Sequence, residues 1–354
     1  MDAVFDVCVV GAGVEGSSAA RYLATTGKNT LLIEQFPLPH SRGSSHGQSR
    51  LVRYGYPEPF HTALMPEAFQ MWSEVEEKAG KRLISKVGLL TLDRPPYDEM
   101  SKVITNVRNV GQECVQMTAE EIAKRFPGLA VPPEECGALE TTSGYIVADL
   151  ALRCLQEQFV EYGGILRHSE KVLHIKPGSV VDIKTSKACY KAKSVIITVD
   201  RFPGYIFSKP LGTKNHIYGF PVLEYPGLIK ICPHDGVEIA DPDCRDFPSK
   251  EKDQLFINRV AALIKAQFPG VKAEPGIVET CIYTVTPDHL FVLDRHPEYR
   301  NIIIGAGFSG HGFKMAPVVG KILSQLALGE KVTYDILPFR LSRFSAFKEN
   351  KSSL

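Results

Sequence analysis

Three glycines near the start of the chain, Gly11, Gly13 and Gly16, have a spacing suited to phosphate binding. They follow a short apolar run from Asp6 to Val10 and precede a helix-like run from Ser17 to Thr26. Such glycines permit a tight turn and a close backbone approach to a pyrophosphate, which then binds the N–H groups at the helix N-terminus. The motif predicts a dinucleotide site, and a turn that binds nothing is the alternative.

Glu34 supports the dinucleotide interpretation because it ends the next predicted strand, Asn29 to Glu34. A carboxylate at that place can accept hydrogen bonds from ribose hydroxyls. The unit lies at the N-terminal end, and a second strand–glycine–helix element, from Asn301 to Leu328, lies near the C-terminal end. This arrangement favours FAD over NAD, and a dehydrogenase that begins with its NAD domain is the alternative.

Two arginines lie in a segment rich in Gly, Ser, His and Arg, from Pro37 to Tyr56. Arg50 and Arg53 are three residues apart, so they would share a face if the segment were helical. A guanidinium group can bind both oxygens of a carboxylate. The pair therefore predicts an anion site, and a polar surface loop is the alternative.

A second glycine-rich stretch, Gly305 to Gly312, follows a run of β-branched residues and precedes Lys314. Glycines in such a run indicate backbone that lies close to a ligand. Lys314 then stands near the start of a helix, where a solvated surface charge is the alternative.

The sequence indicates less about the function of Lys230 and the cysteines than it does for the glycine and arginine motifs. Lys230 stands in the apolar run Gly227 to Ile231, so it lies at a sheet edge or is buried for a purpose. The eight cysteines include no CxxC pair, which argues against a metal site. Each cysteine, Cys281 included, is expected to be a small buried hydrophobic residue.

Strands and helices alternate at both ends of the chain and are mixed between them. Helices are predicted over residues 62–79, 97–110, 119–126, 148–162, 252–268 and 315–328, and strands over residues 89–92, 165–199 and 278–293. The predicted fold class is α/β with an α+β second domain. A discontinuous FAD/NAD(P)-binding domain of the Rossmann type carries a mixed-sheet substrate domain as insertions.

The composition narrows the range of partners. The 354-residue chain is long enough for two domains, and a net charge of +1 predicts no nucleic-acid partner. No stretch is long and apolar enough to span a bilayer, so no membrane association is expected. The N-terminus carries acids rather than the basic residues of a secretory signal.

Four longer stretches resemble the monomeric sarcosine oxidase family, most closely its animal peroxisomal sarcosine/pipecolate oxidase branch. They are FPLPHSRGSSHGQSR at residues 36–50, CIYTVTPD at 281–288, LDRHPEY at 293–299 and GAGFSGHGFK at 305–314. These stretches are far more specific than the glycine motif, and the resemblance covers nearly the whole chain. It implies a flavoprotein whose substrate domain packs over the flavin of an FAD domain.

The resemblance also implies roles for individual residues. The residues implied to bind FAD are Gly11, Gly13, Gly16, Glu34, Ser44, Ser45, His46, Arg50, Gly307, Gly310 and Gly312. Arg53 and Lys314 match the pair that holds the substrate carboxylate, and Cys281 matches a cysteine that links covalently to the flavin. Lys230 matches the lysine that promotes the reaction with oxygen. Tyr218, His234 and Tyr283 match residues near the substrate amine.

The implied activity is FAD-dependent oxidation of a secondary amino acid such as L-pipecolate or sarcosine. A hydride equivalent passes to the flavin and electrons then pass to O2, which gives an imine and H2O2. The implied partners are the amino-acid substrate and O2, and the implied assembly is a monomer. A non-catalytic or unstable protein that keeps the FAD-domain sequence is the alternative.

The sequence departs from the family after the run Val195 to Val199. Family members continue with a Gly-x-Trp turn and further strands of the substrate domain, whereas here Asp200 and Arg201 lead directly into Phe202. The predicted FAD domain covers residues 1–85, 138–201 and 282–345, and the truncated substrate domain covers 86–137 and 202–281. Missing strands would expose unpaired sheet edges, so the chain is expected to fold poorly or to bind FAD weakly.

The predicted tail, residues 346–354, ends in Ser352-Ser353-Leu354, which is close to the Ser-Lys-Leu peroxisomal address. It predicts a peroxisomal protein, with the import receptor as a further partner. A frayed tail on a cytoplasmic protein is the alternative.

Overall fold

The computed structural model describes residues 4–198, 217–220, 225–234, 250–279 and 281–344. The junction at Asp200 and Arg201 and the tail that ends in Leu354 lie outside the described residues. No helix in the described part of the chain is long and apolar enough to cross a membrane.

An eight-stranded sheet forms the centre of the molecule. Its strands are β1 (Val4–Val10), β2 (Thr30–Ile33), β9 (Ile165–Arg167), β10 (Val172–Lys176), β11 (Val181–Thr185), β12 (Cys189–Ile197), β15 (Val292–Arg295) and β16 (Ile302–Ala306). The strand order is β10-β11-β12-β1-β2-β9, and β16 pairs with both β12 and β15. Strands β12, β1, β2 and β9 run parallel, as the βαβ pattern predicts.

β1 is buried on both faces, which explains its continuous apolar sequence. Val7 and Val9 belong to a core that also contains helical side chains, whereas Cys8 and Val10 belong to a second core on the opposite face. Side chains of a strand alternate between faces, so one short run contributes to both cores.

The helices that the structure describes are α1 (Val14–Thr25), α2 (Pro59–Ala79), α3 (Asp98–Asn109), α4 (Ala119–Arg125), α5 (Ala148–Glu161), α6 (Lys250–Gln267) and α7 (Gly312–Leu328). Short 3-10 helices cover Leu337–Phe339 and Leu341–Phe344. Helix α7 packs against α1 and α2, and its residues from Gly312 to Gly320 are all buried. Its apolar character on every side is therefore that of a core helix.

Three smaller sheets lie outside the central one. Strands β3 (Ser49–Val52), β8 (Gly144–Val147) and β4 (Ile84–Ser85) form the first sheet, and β5 (Leu89–Asp93), β7 (Cys136–Glu140) and β6 (Cys114–Thr118) form the second. The third is the antiparallel pair β13 (Ile217–Phe220) and β14 (Lys230–Pro233).

Most predicted helices occur within a few residues of their predicted bounds. In α2, the inward-facing side chains Leu64, Phe69, Trp72 and Val75 are buried as expected. At the start of α4, the Thr118 hydroxyl accepts a hydrogen bond from the Glu121 N–H, and the Glu121 carboxylate accepts one from the Thr118 N–H. This reciprocal cap confirms the capping box predicted there.

Two local predictions were wrong. Residues 278–293 alternate in hydropathy, but among the described residues of this range a strand begins only at Val292, and those before it are irregular. Residues 49–52 were expected to be loop or helix, yet they form β3, which pairs with β8. Arg50 and Arg53 therefore do not share a helix face, because pairing with a distant strand sets the backbone here.

Candidate functional site

The first glycine motif forms a tight turn between β1 and α1. Gly11 has a φ of 101°, which favours glycine, and a Cβ on Gly16 would lie 1.9 Å from the Gly11 carbonyl oxygen. The same Cβ would lie 2.6 Å from Thr198 Oγ1 at the end of β12. Gly11 and Gly16 are therefore required for the turn itself, and the turn leaves the N-terminus of α1 facing the site.

Glu34 lies beside this turn, as predicted. Its carboxylate accepts hydrogen bonds from the N–H groups of Ala12 at 2.9 Å and Phe36 at 3.0 Å. Burial acts to raise the pKa of Glu34, but His40 and these two N–H groups hold that pKa below its ordinary value. An ionised carboxylate at this position is suited to accepting ribose hydroxyls.

Residues 43–50 fold back over the glycine turn. The Ser45 hydroxyl accepts a hydrogen bond from the Val14 N–H at 3.0 Å, and a Cβ on Gly13 would approach Ser45 Oγ to 3.1 Å. Arg50 donates to the carbonyl oxygens of His46, Ser44 at 3.1 Å and Ser49 at 2.8 Å. Arg50 therefore holds the loop together, which the sequence did not indicate.

The hairpin of β13 and β14 brings three predicted residues together. Tyr218 lies opposite Cys232 in the hairpin, and Lys230, Cys232 and His234 are two residues apart. Because side chains alternate along a strand, Tyr218, Lys230 and Cys232 share one face, and His234 follows directly after β14. Lys230 Nζ lies 3.3 Å from Ser49 Oγ on β3, so this face points toward the Gly-, Ser-, His- and Arg-rich segment from Pro37 to Tyr56.

Tyr218 and Tyr283 form a pair of half-buried phenols. Burial raises the pKa of both hydroxyls, and the interaction with Tyr283 raises the pKa of Tyr218 further. Tyr283 also packs against His234, with ring centroids 5.2 Å apart. Both tyrosines are therefore neutral hydrogen-bonding groups next to the histidine.

Arg53 and Lys314 approach the same place from different elements. Arg53 follows β3, and Lys314 lies in the first turn of α7, where it is 7% exposed. Burial, followed by the charges of Arg53 and Arg50, lowers the pKa of Lys314 to about 7. The surface alternative for Lys314 is therefore wrong, because this end of α7 is packed inside the molecule.

The second glycine-rich run makes close contacts within the protein. A Cβ on Gly310, where φ is 77°, would lie 2.3 Å from the His234 ring. A Cβ on Gly307 would meet Thr286 at 2.3 Å, and one on Gly312 would meet a Glu15 carboxylate oxygen at 2.5 Å. These glycines thus position His234 and the start of α7.

The cysteines do not all follow the expectation of burial. Cys8, Cys114 and Cys154 are buried, but Cys189 and Cys281 are exposed. Cys281 Sγ lies 3.9 Å from Arg50 Nη2. No group of three or more His, Cys, Asp or Glu side chains suited to a metal ion occurs among the described residues.

A cavity of about 3000 Å³ joins most of these features, although Cys281 and Gly307 do not line it. It runs from the glycine turn and Glu34 past residues 43–50 to Lys230, His234 and Tyr283. Arg53, Tyr218, Gly310, Gly312 and Lys314 also line it. Ligand pockets are typically about 300–1,000 Å³, so this cavity has room for a dinucleotide together with a small substrate.

Tyr56 and His311 lie in the site but were not predicted. The Tyr56 ring is buried beneath Arg53, and the His311 ring stacks on His234 with centroids 5.6 Å apart. Burial, then the charges of Lys314 and Arg53, hold the pKa of His311 well below 6.5, so this imidazole is neutral. Their proximity to Arg53 and Lys314 becomes visible only in the folded chain.

Residues 6–326 match the family model described as FAD dependent oxidoreductase. The chain belongs to this family. It is 41% identical over 378 aligned positions to the peroxisomal sarcosine oxidase of Homo sapiens, covering 96% of each chain. It is 31% identical to the monomeric sarcosine oxidase of Bacillus sp. (strain B-0618), covering 99% of this chain and 98% of that one. The NAD-dehydrogenase alternative is therefore wrong.

Solved structures share the fold at lower identity. NikD, an amino acid oxidase essential for nikkomycin biosynthesis, superposes with a TM-score of 0.77 at 22% identity and covers 96% of this chain and 98% of that one. The L-proline dehydrogenase from P. horikoshii superposes with a TM-score of 0.76 at 20% identity, covering 98% of this chain and 99% of that one. These likenesses confirm the predicted fold class.

The residues present fit the FAD that this family binds. The Gly16 contact admits no side chain, and the α1 N-terminus and Glu34 offer N–H groups and an ionised carboxylate at adjacent points of the cavity. These are the groups that bind a pyrophosphate and a ribose.

Proposed function

We propose that this protein oxidises secondary amino acids of the sarcosine and L-pipecolate class with FAD and O2. The observation that carries the proposal is the pair of cations, Arg53 and Lys314, at the end of the FAD cavity. In the part of the chain that the structure describes, neither cation has a carboxylate within 4.0 Å. A substrate carboxylate would supply the missing negative charge.

The chain's own residues would orient the substrate and set its charge. Arg53 and Lys314 would hold the carboxylate, which fixes the position of the amine and its neighbouring C–H bond. Their positive field also favours the neutral form of the amine, which is the form that can give up a hydride equivalent. The cavity lining includes Tyr218, Tyr283 and His234, which could accept hydrogen bonds from that amine or donate hydrogen bonds to it.

The flavin would supply the redox chemistry, accepting two electrons from the substrate and passing them to O2. Lys230 would favour the second stage because a cation stabilises the negative charge that develops on reduced oxygen. Its place on the Tyr218 face of the hairpin supports this role.

The experiment is anaerobic mixing of the purified flavoprotein with sarcosine or L-pipecolate. We expect the visible flavin absorbance to fall and H2O2 to form when O2 is admitted. Lys314→Met should raise KM by at least about 100-fold, because binding loses one charge-assisted contact and leaves Arg53 alone. Lys321→Met is the matched control, since Lys321 lies on the same helix but pairs with Glu67 at 2.6 Å. A yellow protein that neither substrate bleaches would refute the proposal.

We further propose that Cys281 links covalently to the flavin. Its exposure and its place beside Arg50 at the edge of the loop over the glycine turn support this assignment. After denaturation, flavin fluorescence should remain with the wild-type chain and be lost from Cys281→Ala. Cys232→Ala, which removes the thiol between Lys230 and His234, should retain it. Loss of fluorescence from the denatured wild type would contradict the link.

The relatives support two coarser proposals. The human relative is called peroxisomal, so we propose a peroxisomal protein whose Ser352-Ser353-Leu354 end is recognised by an import receptor. The Bacillus relative is called monomeric, so we propose a monomer. We retain the predicted division between the FAD domain and the substrate domain as a proposal. The comparisons do not favour the non-catalytic alternative.

A further inference from the structure

The ring of Tyr56 lies beneath both cations of the proposed carboxylate site. Tyr56 is 1% exposed, with Arg53 Cζ 4.8 Å and Lys314 Nζ 5.7 Å from its ring centroid. Both distances are within the range of about 6 Å over which a cation is attracted to an aromatic face. One ring therefore contacts two like charges that come from β3 and α7.

Two neighbouring cations, of which Lys314 is buried and Arg53 half-buried, need a source of negative potential. Charges of the same sign repel more strongly in a low-dielectric interior than in water, and burial further disfavours the charged form of Lys314. The described residues provide no carboxylate within 4.0 Å of Arg53 or Lys314. Among the described residues, the negative face of the Tyr56 ring contacts both cations, and the more distant Glu58 carboxylate interacts with Arg53 alone.

The surroundings of Tyr56 keep that ring uncharged and fixed. Burial raises the pKa of its phenol to about 12. The ring packs against the rings of His61 and His311, and the ring centroids are 5.2 Å and 5.6 Å apart, respectively. The titratable and charged groups around Lys314 and Tyr56 are Arg50, Arg53, Glu58, His61, His311 and Glu140.

We propose that Tyr56 is a positioning residue that holds Arg53 and Lys314 side by side for a carboxylate and keeps Lys314 protonated. This inference rests on the proposed function, since the carboxylate is that of the amino-acid substrate. Tyr56 acts through the two cations. The important property is therefore the π-face of its ring rather than its hydroxyl, which lies near Arg53 but outside hydrogen-bond geometry.

The test measures binding of cyclohexanecarboxylate, a carboxylate that lacks the amine, to the flavoprotein by calorimetry on both sides of pH 7. Tyr56→Leu should weaken binding about tenfold, because both cation–π contacts are lost. It should also move the alkaline fall in affinity to lower pH, since Lys314 loses a group that favours its charged form. Tyr56→Phe should bind within about twofold of wild type.

Two further variants separate this role from packing. Tyr54→Leu removes another buried tyrosine that stacks on Phe69 at 4.3 Å, away from the cations, and it should leave the pH profile unchanged. Replacing Tyr56 by 4-cyanophenylalanine keeps the shape of the ring but weakens its negative face, so affinity should fall although the fold is preserved.

The inference is overturned if the cyano variant binds like Tyr56→Phe. It is also overturned if Tyr56→Leu and Tyr54→Leu lose affinity equally with unchanged pH profiles, or if the wild type does not bind the carboxylate. A wild type that binds the carboxylate but oxidises no secondary amino acid would refute the proposed function alone. In that case the variants still decide the role of Tyr56.

Discussion

At the scale of single residues, burial changes what the sequence could say about Lys314. The motif placed it near a helix start, where a lysine is normally solvated. The structure instead buries it against Trp72, whose indole N–H donates to the Lys314 carbonyl oxygen at 3.1 Å. The charge state of this lysine, which the motif left open, follows from that packing.

The pKa of Lys314 leads to a prediction about pH. Because that pKa is lowered to about 7, the substrate-free enzyme loses this positive charge as the pH rises through that value. Carboxylate binding should be strongest below it and should weaken up to about tenfold per pH unit above it. Lys314→Arg, which stays charged, should show no such decline. Calorimetric titration with cyclohexanecarboxylate measures both, and a flat wild-type profile would contradict the prediction.

The same lowered pKa changes folding stability with pH in the direction opposite to its effect on carboxylate affinity. The folded pKa lies below the ordinary lysine pKa of 10.5, so the unfolded chain binds more protons between these two values. Stability should therefore rise with pH across that interval. The residue proposed to bind the carboxylate thus destabilises the fold, and a neutral Lys314→Met chain should gain stability while losing affinity.

At the scale of elements, close helix packing is decided by one glycine that the sequence motifs did not single out. A Cβ on Gly320 of α7 would lie 2.6 Å from the Ala19 backbone nitrogen and 2.8 Å from Ser18 Cβ on α1. The two helices can approach to this distance only without a side chain there. The third glycine of the first motif plays the same part within its turn.

Gly320→Ala tests this contact because helix propensity and packing predict opposite changes in the free energy of unfolding. Alanine in a helix interior normally stabilises by about 0.5–1 kcal/mol relative to glycine. Here the overlap with α1 should make the substitution destabilising by about 1–3 kcal/mol. Denaturant unfolding of the flavoprotein measures the difference. Ala327→Gly, nearer the end of α7, should cost only the propensity difference, and a stabilised Gly320→Ala chain would contradict the predicted contact.

The elements that the sequence predicted well were long helices such as α2 and α5, in which apolar residues recur at the helical period over many residues. The short strands β3 and β13 were missed because their pairing partners, rather than their own pattern, set the backbone. The apolar run that contains Lys230 was expected to lie in a sheet, and it contributes to β14. The register of β13 and β14 brings Tyr218 opposite Cys232, which no local signal indicates.

At the scale of the whole molecule, we propose that a segment of the substrate domain is missing at Asp200 and Arg201. The alignment with the human relative spans 378 positions, whereas this chain has 354 residues. Some residues of the human relative therefore have no counterpart in this chain. This excess supports the proposal. The catalytic assignments lie outside that junction, so the consequence falls on the scaffold.

We expect the chain to bind less than one FAD per protein and to unfold at a lower temperature than its human relative. Total stability is typically only about 5–15 kcal/mol, so one lost packed element is a large part of it. Inserting the relative's corresponding segment between Asp200 and Arg201 should restore both properties. Flavin absorbance and thermal unfolding measure them. Stoichiometric FAD with normal turnover in the unaltered chain would refute the proposal.

The sequence by itself determined the βαβ unit, the dinucleotide turn and the family, because these depend on local periodicity and on long motifs. It also named most of the residues that line the cavity. The tertiary structure decided the burial of Lys314, the position of Tyr56 under two cations and the close packing at Gly320. These properties depend on distances between segments far apart in the chain, and such distances are set only when the core has formed.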